Sequence, residues 1–75
     1  MNSKEFILKF GAEKAEKLAV EAGTNLAYFR QVANGHRRFG SSLLARIVEK
    51  SRNKITFEDE LTFYSLRQSR NKGAA

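Results

Sequence analysis

Residues 15–35, AEKLAVEAGTNLAYFRQVANG, decide how this chain is read. They read as two short helices joined by a tight turn: the first ends at Ala22, Gly23 supplies the turn, and Thr24 can cap the second. Ala19 and Gly23 are small where two steeply crossing helices must approach closely, and a positive φ in the turn costs least at glycine. Successive helical residues lie about 100° apart, so the second helix divides into faces. Phe29, Val32 and Ala33 fall on one side; Ala27, Arg30, Gln31 and Asn34 fall on the other. The outward side is small, basic and amide-bearing, with no acid. That is the chemistry that reads base edges in a DNA groove.

The flanking segments supply the rest of a helical domain. Residues 2–10 predict a first helix, capped by Asn2 or Ser3 and stopped at Gly11, with Phe6, Ile7 and Phe10 as its apolar stripe. The hairpin's first helix, Glu13–Ala22, turns Ala15, Leu18, Ala19 and Ala22 inward and Lys14, Lys17 and Glu21 outward. Asn25 to Ala33 form the next helix, closed by Asn34-Gly35, and a basic loop, His36 to Gly40, follows. Ser41 or Ser42 is expected to cap a fourth helix over 43–50, with Leu43, Leu44, Ile47 and Val48 inward and Arg46 and Lys50 outward. Thr56 opens a fifth, with Asp59 in a variant of the capping box. On it Phe57, Leu61 and Tyr64 form one stripe, and Phe63 with Leu66 a second. Either one stripe seals the domain while the other meets a second subunit, or both pack within one chain. From 67 to 75, RQSRNKGAA shows no apolar period and reads as a disordered basic tail. The expectation is an all-α, compact five-helix domain over 1–66 with a tail over 67–75.

Composition bounds the function. Seventy-five residues make one small domain. There is no cysteine and a single histidine, His36, so thiolate chemistry and a histidine-built metal site are excluded. No apolar run approaches the ~20 residues of a membrane span, and no signal-peptide pattern opens the chain, so a soluble, cytoplasmic protein is expected. The net charge of +6 is unevenly placed. Residues 1–29 balance, as do 55–75, while 30–54 carry Arg30, Arg37, Arg38, Arg46, Lys50, Arg52 and Lys54 against Glu49 alone. A basic stretch beginning inside the second hairpin helix points to a polyanion. Nothing resembles catalytic machinery: there is no glycine-rich phosphate loop, and the acids at 58–60 sit at a helix start, where capping accounts for them. No enzyme, cofactor, metal or small-molecule substrate is expected.

The stretch LAVEAGTNLAYFRQVANG, followed by HRRF, resembles the helix-turn-helix of the Cro and repressor proteins of lambda-like phages and of related short bacterial regulators. The residues that carry the resemblance are Ala19, Gly23, Phe29, Val32 and the exit Gln31-x-x-Asn34-Gly35 before basic residues; it covers about Glu13 to Ser51. Thr24 stands where many members carry an aliphatic residue, and Leu26 is apolar at an often polar position. The resemblance implies a lambda-repressor-like fold whose third helix enters the major groove. Gln31 would then pair with adenine, Arg30 with guanine or a phosphate, and Ala27 with a thymine methyl. Asn25 would reach a base or the backbone, and Tyr28 a base methyl or a phosphate unless it packs inward. Thr24, Asn34, Arg37, Arg38 and Ser41 would hold the DNA backbone. The implied protein is a transcriptional repressor in the bacterial cytoplasm, binding a pseudo-palindromic operator as a homodimer with half-sites ~34 Å apart. Two other readings stand beside it: an antitoxin-type regulator that also binds a toxin through its apolar last helix, and a nucleic-acid-binding module indifferent to sequence.

Overall fold

The computed structural model describes the backbone of residues 1–74 and the side chains of residues 1–66. Five helices follow one another: α1 (Ser3–Phe10), α2 (Ala12–Glu21), α3 (Leu26–Ala33), α4 (Ser41–Lys50) and α5 (Phe57–Ala74), with no strand among the described residues. The chain is all-α, as its periodicity predicts.

Each boundary has a local cause. Asn2 and Glu5 form a reciprocal capping box: the Glu5 amide donates to Asn2 Oδ1 and the Asn2 amide to Glu5 Oε1, both at 2.9 Å. Gly11, at φ +90°, ends α1 and starts α2 within one residue. Between α2 and α3, Gly23 takes φ +92°. A Cβ there would meet nothing nearer than Arg46 Nε at 3.9 Å, so the glycine answers a backbone requirement and not a lack of space. Thr24 does not cap α3. Its amide donates to the Ala19 carbonyl at 2.8 Å, and the cap passes to Asn25, whose extended backbone lets Oδ1 accept from the Tyr28 amide at 2.8 Å.

α4 begins earlier than expected. Gly40 is its N-cap and no side chain caps it, so Ser41 and Ser42 are helical residues, not caps. Burial of Phe39 and Leu44 on either side of Gly40 sets that register. Thr56 does cap α5, accepting from the Asp59 amide at 3.2 Å. The Asp59 carboxylate, however, pairs with the Met1 ammonium at 2.6 Å, and that ammonium also donates to the Lys54 carbonyl at 2.7 Å. The expected tail at 67–75 falls on residues whose side chains lie outside the described ones; the α5 backbone, free of proline, continues helical to Ala74.

The core gathers around Phe29, fully buried on α3. Phe6 meets it edge-on at 6.1 Å between ring centroids, and Phe39 packs at 5.8 Å. Ala15, Ala19 and Ala22 are completely buried, and such small side chains bring the α2 backbone close to its neighbours. Leu44 and Ile47 from α4, Ile55 and Tyr64 complete the cluster. Neither predicted stripe of α5 holds as a unit. Its inward face is formed by Glu60 and Tyr64, one turn apart, while Phe57, Leu61 and Leu66 stay 45%, 54% and 62% exposed. Glu60 turns inward toward Ser3, which meets one of its carboxylate oxygens: Oε1 accepts from the Ser3 amide at 2.9 Å and from its hydroxyl at 2.7 Å.

Candidate nucleic-acid interface

The outward side of α3 carries Ala27, Arg30, Gln31 and Asn34, all exposed, on a helix whose other side, Phe29, Val32 and Ala33, is buried. From Asn25 to Gln31 the row runs about 9 Å along the axis at 1.5 Å per residue. Close packing behind this row fixes the helix, so its outward side chains project from a rigid element. Asn25 is exposed, but its Oδ1 already accepts from Tyr28. That bond takes one of the two lone pairs of the amide oxygen and holds the side chain to the helix start, so Asn25 is less free than Gln31 to pair with adenine, while its NH2 group stays available to a phosphate or a base acceptor.

Tyr28 is half-buried and serves the loop that follows α3. Its hydroxyl donates to the Arg38 carbonyl at 2.9 Å, its ring lies 6.1 Å from that of Phe39, and the Arg37 guanidinium sits 5.9 Å from its centroid. The hydroxyl and ring of Tyr28 thus help hold the basic loop beside the middle of α3, which favours the packing role over direct contact with a base. The start of the loop is turned back on the helix by the Gln31 carbonyl, which accepts from the His36 and Arg37 amides at 2.8 and 3.3 Å. Its far end is anchored by Phe39, 3% exposed, whose amide donates to the Tyr64 hydroxyl at 2.9 Å. Arg37 and Arg38 therefore stand exposed on a segment fastened at three points.

Among the expected backbone contacts, Asn34 and Ser41 are exposed and Thr24 is half-buried. With the Thr24 amide given to Ala19, its hydroxyl is the group available to a phosphate. The start of α4 lacks a side-chain cap, so the amides around Ser41 keep the donor character that favours an anion.

The structure divides the basic middle of the sequence. Arg46 is bound elsewhere: its Nε donates to the Ala22 carbonyl at 2.7 Å. α2 has no basic residue in its own last turn, so a cation from α4 complements the negative end of the helix. Lys50, Arg52 and Lys54 lie instead around a groove with α1 and α2. Sequence reasoning missed Tyr64 and Phe39 as the supports of the loop; an aromatic residue between Arg38 and Gly40 was the available signal, since a fully solvated loop has no use for one. Among the described residues no cluster of histidine and acid side chains could hold a metal, and no helix is long and apolar enough to cross a membrane. In comparison with known proteins, the chain matches no family model, no curated protein and no solved structure.

Proposed function

We propose that this chain is a sequence-specific, double-stranded-DNA-binding transcriptional regulator in which α2 and α3 act as a helix-turn-helix, after the manner of the phage Cro and repressor proteins it resembles. The single observation that carries the reading is the outward row of α3. Asn25, Arg30 and Gln31 offer base-edge donors and acceptors beside the small Ala27, with no acid among them, on a helix held by a buried opposite face. Beside it Arg37 and Arg38, steadied by Tyr28 and Phe39, suit phosphates. The protein would occupy an operator in the bacterial cytoplasm and block polymerase, without enzymatic activity or cofactor.

One such helix reads few base pairs, so the proposal includes a homodimer with half-sites ~34 Å apart. The exposed Phe57 and Leu61, one turn apart on α5, offer apolar surface for it. The same surface favours the antitoxin reading if it meets a different protein; size-exclusion chromatography with light scattering separates the two, a dimer supporting the repressor and a stable monomer the antitoxin.

Selection of bound duplexes from a random pool at physiological salt tests the DNA reading, with Gln31→Ala and Arg38→Ala alongside. A two-fold symmetric site is expected, with Gln31→Ala relaxing one base position and Arg38→Ala weakening all sequences alike with a shallower salt slope. If no motif emerges and both changes only lower affinity, the interface is a generic polyanion surface and the proposal fails.

A further inference from the structure

We infer that the groove between α1, α2 and the α4–α5 turn is a binding site for a small organic anion, a carboxylate or phosphate carried on an apolar or aromatic body. The groove is open to solvent and measures about 340 Å³, at the lower end of the ~300–1,000 Å³ typical of small-molecule sites. Its floor is apolar, made of Phe6, Phe10 and Leu18. Around that floor stand Lys14, Lys17, Lys50, Arg52 and Lys54, all exposed, with Glu21 the one acid among the lining residues.

This clustering is a product of the fold. Lys14 and Lys17 come from a stretch of sequence that is electrically neutral as a whole, and packing brings them to the basic end of α4. Five like charges around one concavity repel one another, and low-dielectric walls focus their field on the space between. An anion in that space relieves the repulsion, and an apolar body attached to it covers the floor. Phe10 is half-buried, with the Lys9 and Lys14 ammoniums 5.7 and 5.9 Å from its centroid, so cation and aromatic surface already lie side by side.

The backbone adds a second, independent sign. Arg52 and Asn53 both adopt positive φ, 56° and 63°. Asparagine tolerates that region, but arginine does not favour it, and glycine would hold the same turn with less strain. A guanidinium kept at the groove in spite of the strained backbone fits a role in binding. None of the groove residues belongs to the α3 row or the 34–41 segment. A phosphodiester backbone would also leave the aromatic floor unused, which is why a small amphipathic anion fits better.

Titration of the ¹⁵N-labelled full chain with 4-phenylbutyrate, followed by amide chemical shifts, tests the site. Shifts centred on Phe10, Lys14, Lys17, Leu18 and Arg52 are expected. The uncharged counterpart 4-phenylbutanol and inorganic phosphate alone should each bind at least tenfold more weakly. Lys17→Glu and Arg52→Gly should weaken 4-phenylbutyrate at least tenfold, while Lys4→Glu, an equal charge change outside the groove, should alter it less than twofold. Arg52→Gly also relieves the backbone, so thermal melts showing it at least as stable as the parent separate lost binding from lost folding. Absence of binding, equal effects of Lys4→Glu and Lys17→Glu, or equal affinity for the alcohol would overturn the assignment. So would displacement of the probe by duplex DNA with shifts in the same amides, which would make the groove a nucleic-acid contact.

Discussion

Two tyrosine hydroxyls differ in burial while making bonds of equal length, so a matched pair of deletions isolates what burial costs. Tyr64 Oη accepts from the Phe39 amide at 2.9 Å, between residues 5% and 3% exposed. Tyr28 Oη donates to the Arg38 carbonyl, also at 2.9 Å, at an exposed position. Tyr64→Phe removes the acceptor and leaves a buried N–H without it, which costs about 1–3 kcal/mol. Tyr28→Phe leaves a carbonyl that water can reach, so the loss is at the low end for an exchanged hydrogen bond, about 0.5 kcal/mol. In a domain of this size each kcal/mol moves Tm by about 4–8 °C. Tyr64→Phe should therefore lower Tm by at least ~4 °C and Tyr28→Phe by no more than ~4 °C. Thermal and urea unfolding followed by circular dichroism at 222 nm measures both. If Tyr64→Phe stays within ~0.5 kcal/mol of the parent, or Tyr28→Phe costs as much, then the loop's attachment to α5 does not depend on that buried bond and the reasoning fails.

Glu60→Ala should cost about 2–5 kcal/mol in urea unfolding, because the buried Ser3 amide and hydroxyl both lose their acceptor; Ser3→Ala, which removes only the hydroxyl, should cost about 1–3 kcal/mol. Arg46→Met should destabilise by about 0.5–2 kcal/mol, and Arg46→Lys should recover only the charge part, since lysine lacks the Nε that reaches the Ala22 carbonyl; added salt should narrow the difference between Lys and Met. The Met1 ammonium and the Thr56 side chain hold the Asp59 carboxyl below its ordinary value of 3.8. A lowered folded pKa stabilises the protein above the unfolded pKa, and that contribution is lost as pH falls through the folded one. Melts between about pH 5 and 2 should therefore show the parent losing Tm more steeply than Asp59→Asn; parallel curves would show that the ion pair contributes nothing.

The helices were legible because their signals are local. Asn2 with Glu5, Gly11, and the spacing of Phe29, Val32 and Ala33 act within a few residues of one another, and the structure has helices where they point. Cap identity was less so. Thr24 and Ser41 are good caps by type, but a cap also needs extended backbone at the right register, and it is Asn25 and Gly40 that have it. The outward row of α3 could be listed from periodicity alone. What holds the adjoining loop could not, since Tyr64 lies 25 residues from Phe39 and no local pattern joins them.

Composition and periodicity by themselves determined that the chain is helical, that α3 has one buried and one polar side, and that positive charge is concentrated between residues 30 and 54. Only the tertiary structure decided how that charge is shared out. It leaves Arg30, Arg37 and Arg38 exposed on α3 and the loop after it, fastens Arg46 to the end of α2, and joins Lys50, Arg52 and Lys54 to Lys14 and Lys17 around an apolar groove. It likewise turned Glu60 inward, against its type, and left Leu61 outside. The reason is physical: helix propensity and amphipathic spacing act over one or two turns, whereas the partner of a charge or a buried polar group is set by which helices pack together, and that is a property of the whole chain.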